Sequence, residues 1–160
     1  MKKLICLCLL LTLAGCAKKE EQPPTVTIAN PFMTFDTLEE AEESAGLSMN
    51  LPEMVGEYII SIYRSMPDKM LEIIYTLDED RIKVRKEAGD KDISGNYSAE
   101  VYEDKDLQIE DLTIHLQCKE DRICNAIWTQ DGYSYAMMAD QGVSEQELKE
   151  LVYTICFTIN

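Results

Sequence analysis

The residues Leu13-Ala14-Gly15-Cys16 place a thiol directly behind two small residues. A thiol in that setting can be alkylated by a diacylglyceryl group, after which a peptidase cuts just before it. Small side chains at Ala14 and Gly15 suit the narrow cleft such a peptidase needs. The stretch ahead of them has the matching order: Lys2 and Lys3 form a basic start, and Leu4 to Leu13 form an apolar run. Together these read as a lipoprotein signal peptide over residues 1–15, with Cys16 as the lipidation site. The apolar run falls short of the roughly 20 residues that an uncleaved span requires. Two acyl chains on one cysteine give stable membrane attachment, at about 0.8 kcal/mol per buried CH₂.

A second pair of thiols, Cys118 and Cys124, stands near a turn. Leu112-Thr-Ile114-His-Leu116-Gln-Cys118 alternates apolar and polar residues, and the run from Cys124 to Thr129 behaves as its returning strand. Setting Cys118 opposite Cys124 places Leu116 opposite Ala126 and Ile114 opposite Trp128, all on one face. Directly opposed Cβ atoms lie about 4.5–5.5 Å apart, close to the roughly 3.5–4.5 Å of a disulfide. A Cys118–Cys124 disulfide is therefore expected, the alternative being two thiols that cap the core. Cys156 follows Ile155 in a helical stripe and is expected as a buried, unbonded thiol. Cys6 and Cys8 belong to the leader.

Other chemistry is weaker. His115, the single histidine, falls on the polar face of its strand, and catalysis by it would need a nucleophile or carboxylate within reach. No such partner stands out in the chain. Asp90, Asp92, Ser94 and Asn96 form an oxygen-rich loop that matches a cation site in composition only. Gly95 is sixth from Asp90, but Val101 stands twelfth, where a calcium loop needs glutamate. A polar turn is the simpler account. No metal or cofactor is implied, and no phosphate loop, dinucleotide fingerprint, nucleophile elbow or zinc-protease motif occurs. Eight tyrosines and the single tryptophan, Trp128, suit either a ligand groove or half-buried sheet packing.

The elements that must position these groups follow from pattern. Ala17 to Asn30, with Lys18-Lys19-Glu20-Glu21-Gln22-Pro23-Pro24, reads as an extended tether, giving residues 16–30 as lipidated cysteine and linker. Residues 31–160 then form one domain. Asp36-Thr-Leu-Glu39 is a capping-box pattern for a first helix that stops at Gly46. Tyr58–Tyr63, Met70–Thr76 and Arg81–Arg85 read as a meander, the last with one wet and one dry face. Further strands are expected near Val101 and Leu107–Ile109, around an acidic turn, then at Leu112–Cys118, Cys124–Thr129 and Tyr133–Met137. Ser144-Glu-Gln-Glu147 caps a last helix carrying Leu148, Leu151, Val152 and Ile155. The expected fold is α+β. It has a single antiparallel sheet of about six or seven strands, with an N-terminal and a C-terminal helix packed on the face bearing Ile114, Leu116 and Trp128.

The chain carries 15 basic and 30 acidic residues. Loss of Lys2 and Lys3 with the leader takes its formal charge from −15 to −17. Such a surface repels nucleic acid and anionic headgroups. The run Glu39-Glu40, Glu42-Glu43 reads as a solvated helix face.

From Asn30 onward the chain resembles an uncharacterised family of Gram-positive envelope lipoproteins, the domain of unknown function 4367 family. The likeness is carried by Asn30-Pro31-Phe32, Leu38-Glu39-Glu40-Ala41-Glu42, and Gly46-Leu47 leading to Leu51-Pro52. It continues through Glu72-Ile73-Ile74-Tyr75, Arg85-Lys86, and the loop Asp92-Ile93-Ser94-Gly95-Asn96-Tyr97. Trp128-Thr129 before Gly132-Tyr133-Ser134-Tyr135, and Ser144-Glu145-Gln146-Glu147-Leu148, complete it. The family pattern has aspartate where Asn96 stands and often tyrosine where Val84 stands, and it lacks the two hairpin cysteines. The resemblance implies fold and envelope location and no reaction. The resulting expectation is a lipid-anchored protein on the outer face of the cytoplasmic membrane. It would be a non-catalytic binding, sensing or interaction module whose partner is a protein, a peptide or a wall component. An envelope hydrolase using paired carboxylates is the competing reading.

Overall fold

In the computed structural model, residues 30–95 and 102–158 are described. Cys16, the tether up to residue 29 and Asn96 lie outside them. In chain order the elements are β1 (Met33–Phe35), α1 (Leu38–Ala45), β2 (Met54–Val55), β3 (Tyr58–Met66), β4 (Met70–Leu77) and β5 (Asp80–Ala88). β6 (Glu103–Ile109), β7 (Leu112–Lys119), β8 (Arg122–Gln130), β9 (Tyr133–Val143) and α2 (Glu145–Phe157) follow. All strand pairs are antiparallel, in the order β1-β3-β4-β5-β9-β8-β7-β6, with β2 paired to β3. The fold is α+β as expected, but among the described residues nine strands replace the six or seven. The additions β1 and β2 have three and two residues, too short to show a period-two pattern. β6 runs through Glu103-Asp104-Lys105-Asp106, the stretch read as an acidic turn. Its charges suit an exposed edge strand, where they discourage pairing with another chain.

Every hairpin turn but that of β2–β3, where Gly56 takes the position, carries an acidic residue at positive φ. Asp68, Asp78, Glu110, Glu120, Asp121 and Asp131 all adopt the left-handed region, at 49–62°. Asp tolerates that conformation through local hydrogen bonding. Glu120-Asp121 and Asp131-Gly132 have both central residues at positive φ, the condition for the tight turn that matches strand twist. Part of the acidic excess is therefore turn chemistry.

The first helix begins one residue later than its sequence pattern suggests. Thr37, not Asp36, is the N-cap, its hydroxyl accepting from the Glu40 N–H at 3.3 Å. The Glu40 carboxylate accepts from the N–H of Asp36, the residue before the cap, at 3.3 Å, so the reciprocal bond of a capping box to Thr37 is replaced by one to its neighbour. Gly46 ends the helix at φ 66°, as expected. Ser144 and Glu147 form the capping box of α2.

Alternation gives the sheet two unlike faces. On one, Leu71, Ile73 and Tyr75 of β4 continue into Ile82, Val84, Met137, Ala126, Trp128, Ile114 and Leu116. These belong to the same core cluster as Ala41 and Ala45 of α1 and Leu148, Leu151, Val152 and Ile155 of α2. The opposite face has a smaller apolar cluster, Met70, Ile93 and Ala136, with Phe32, Met66, Ile127 and Met138 packed against it. Buried Ile74 lies there too, among the charged side chains that give this face its polar character.

Candidate functional site

The polar face is organised around a buried carboxylate. Glu72 of β4 is wholly inaccessible to solvent. Its two oxygens accept from Arg64 Nε on β3 and from Arg85 Nε on β5, the latter at 2.6 Å. The register sets Arg64, Glu72 and Arg85 side by side across three strands. The Phe32 ring covers the cluster, with the two guanidinium carbons 4.8 and 5.6 Å from its centroid. A buried carboxylate is tolerable here because both oxygens are paired with cations.

Arg85 then fixes the 89–95 loop. Its Nη1 donates to the carbonyls of Ile93 and Ser94 at 2.9 and 2.7 Å. Asp92 Oδ1 accepts from the Ser94 N–H at 2.8 Å, a short Asx turn. The Ile93 and Ser94 carbonyls are thus bonded to a guanidinium, and Asp90 is exposed. The oxygen-rich loop works here as a strap over the sheet. Asn96, its last candidate ligand, lies outside the described residues. Among the described residues no group of three His, Cys, Asp or Glu could hold a metal ion.

Beside this strap the sheet opens. β8 has an extra residue at Cys124, and β9 leaves it over residues 139–142. Asn125 pairs with Met138, whereas Ile123 pairs with Val143. Gly142 makes the return, at φ 69°. A Cβ there would lie 2.6 Å from Arg122 Cβ and 3.3 Å from Arg122 C, so only glycine fits. Arg122 Nη2 ties the arch down by donating to the Gly142 carbonyl at 2.7 Å.

The result is a cleft of about 800 Å³. Lys83, Met138 and Asn125, neighbours across β5, β9 and β8, lie in its wall, with Arg85, Ser94, Gly95 and Tyr102 on one side. Lys119, Glu120, Arg122, Cys124, Ala139, Asp140 and Gln141 complete it. Four cations and two carboxylates thus line a cleft in a chain of formal charge −15. Asn125 Nδ2 donates to Gln117 Oε1 at 2.9 Å, which holds its amide in place. Burial raises the Glu147 carboxyl's pKa, but bonds from the Ser144 N–H and hydroxyl, helped by Arg122, outweigh it and hold it below its ordinary value.

The bulge also overturns the expected disulfide. Leu116 does face Ala126, but Cys118 pairs with Ile123, because Cys124 is the extra residue. Cys118, Cys124 and Cys156 are all thiols. Cys118 is buried, and burial raises its pKa. Cys156 is half-buried rather than buried, and its Sγ accepts from Trp128 Nε1 at 3.3 Å. His115 has a carboxylate that the sequence did not single out: its Nδ1 is 2.7 Å from Asp106 Oδ1, directly across the β6–β7 pair. Both side chains are about two-thirds exposed, at 68% and 67%, and the described structure shows no nucleophile hydrogen-bonded to the pair.

The cleft was missed because its signal is split. Arg81, Lys83 and Arg85 alternate plainly in the sequence, but a strand with a wet face is common. What turns the wet face into a concavity is Gly142, which lies beyond the expected strand Tyr133–Met137, and the extra residue at Cys124, which keeps the alternation. No family model, no curated protein and no solved structure matches this chain.

Proposed function

We propose that this chain is a lipid-anchored, extracytoplasmic binding module without a catalytic role, and that its polar-face cleft is the binding surface. The observation that carries the reading is the cleft itself. It has the size of a ligand site, roughly 300–1,000 Å³, and its walls are fixed by the Glu72–Arg85 pair and by the tie of Arg122 to the Gly142 carbonyl. In this reading both helices cover the opposite face, bearing Ile114, Leu116 and Trp128, so the cleft faces outward. Cys16 supplies the membrane anchor, and the resemblance to Gram-positive envelope lipoproteins accords with the same address. Among the described residues no helix is long and apolar enough to cross a membrane.

A hydrolase would draw on the two carboxylates of the cleft, Glu120 and Asp140. Asp140 accepts from Arg81 Nε at 3.1 Å, so its charge is answered by a cation rather than by a substrate proton. Binding is the simpler use of the site.

Two experiments test the proposal. Cells fed a radioactive fatty acid should label the wild-type chain and not the Cys16→Ser variant; label on the variant would remove the anchor. A thermal-shift screen of the Cys16→Ser chain against wall fragments, peptides and small anions should yield a stabilising ligand. A ligand at 100 times its Kd adds about 2.7 kcal/mol.

A further inference from the structure

We propose, on the reading of the chain as a binding module, that the cleft is an oxyanion site in which Lys83 holds a carboxylate or phosphate group of a small ligand. The argument begins on β5, where Arg81, Lys83 and Arg85 point to the same face two residues apart. The outer two are answered: Arg81 by Asp140 at 3.1 Å and Arg85 by Glu72 at 2.6 Å. Lys83, between them, has no carboxylate partner among the described residues. It is half-buried, and its cross-strand neighbours are Ile74 and Met138, which are apolar. A lysine in such a wall gains from an anion brought to it, because the apolar surroundings weaken the screening that water would supply.

The second group is Arg122 across the cleft. One of its donors goes to the Gly142 carbonyl at 2.7 Å, and Glu147 lies 4.0 Å away. A guanidinium has five N–H donors in a fork that matches carboxylate and phosphate oxygens, so donors remain for a ligand. The volume of about 800 Å³ admits a small molecule. A net-negative protein that gathers cations in one concavity focuses potential there, which favours capture of an anion its remaining surface repels.

The test uses the Cys16→Ser chain at constant ionic strength, titrated with inorganic phosphate and, separately, with succinate. Amide shifts of Lys83, Asn125 and Met138 are followed by NMR. The proposal expects saturable shifts at these positions, weakened at least tenfold in Lys83→Gln. They should be kept within about twofold in the remote control Lys149→Gln, whose side chain pairs with Glu145 on α2. Saturation by phosphate alone assigns a phosphate ligand, and saturation by succinate alone a carboxylate; either supports the site. Failure of both anions to saturate, or equal binding by Lys83→Gln, overturns it. If neutral N-acetylglucosamine oligomers shift the same amides equally in wild type and Lys83→Gln, the oxyanion assignment falls while the binding module stands.

Discussion

Trp128 donates its indole N–H to Cys156 Sγ at 3.3 Å, and its ring lies flat against Tyr135, with centroids 5.4 Å apart and planes inclined by 5°. This contact fastens the end of α2 to the middle of the sheet. Trp128 is fully buried, so losing its acceptor would leave a buried donor unsatisfied. Cys156→Ala should therefore cost about 1–3 kcal/mol. Urea unfolding of the two chains measures the difference, and a change under ~0.5 kcal/mol would show the bond to be incidental.

The same thiol governs behaviour in alkali. Burial pushes the Cys156 pKa up to about 11, against the pull of the Trp128 bond and Lys86. Burial likewise raises Tyr135 to about 12 and raises Tyr75 further. The unfolded chain loses these protons first, so their contribution is complete below about pH 9 and is lost as pH rises through 11 to 12. Unfolding midpoints should be level with respect to these groups up to pH 9 and then fall. Cys156→Ala should soften the first part of that fall. A midpoint that rises between pH 9 and 11 would contradict the burial.

Glu72 sits between two guanidinium groups, and its removal would leave both without an anion. Glu72→Ala should destabilise the fold by roughly 3–5 kcal/mol, and Glu72→Gln should fall between it and wild type. Denaturant unfolding, with intrinsic Trp128 fluorescence as the probe, gives the order. Equal stability of wild type and Glu72→Ala would mean that the cluster is ornamental to folding.

Gly142 offers a separate handle on the cleft. Gly142→Ala meets Arg122 at 2.6 Å and holds a positive φ, so a loss of about 2 kcal/mol is expected. Loosening should be concentrated in residues 122–125 and 139–143, where hydrogen exchange would rise. Exchange that rises uniformly along the chain would detach the bulge from this glycine.

Much of the fold was legible because its signals are local. Ser144 and Glu147 announce α2, Gly46 ends α1, and the alternation of Arg81-Ile82-Lys83-Val84-Arg85 separates the sheet's two faces. What escaped reading depends on one-residue events. Thr37 and Asp36 are both good caps, and only the backbone decides between them. Cys124 obeys period two in sequence, yet a bulge takes it out of register with Cys118. β1 and β2 exist because β3 offers them an edge, a tertiary cause with no imprint on so few residues. The hairpin can be checked directly. Alkylation under non-reducing conditions should label Cys118, Cys124 and Cys156, with Cys124 first and buried Cys118 late. A hairpin peptide lighter by two hydrogens would restore the straight register.

The claim on which the functional reading turns is that ligand meets the polar face, at the arch of β9 and the bulge of β8. Hydrogen-exchange mass spectrometry of the Cys16→Ser chain, with and without the strongest stabiliser from the thermal-shift screen, addresses it most directly. The account predicts new protection in residues 122–125 and 138–142, with α1 and α2 unchanged. Protection confined to the helices, leaving the cleft as exposed as before, would contradict it.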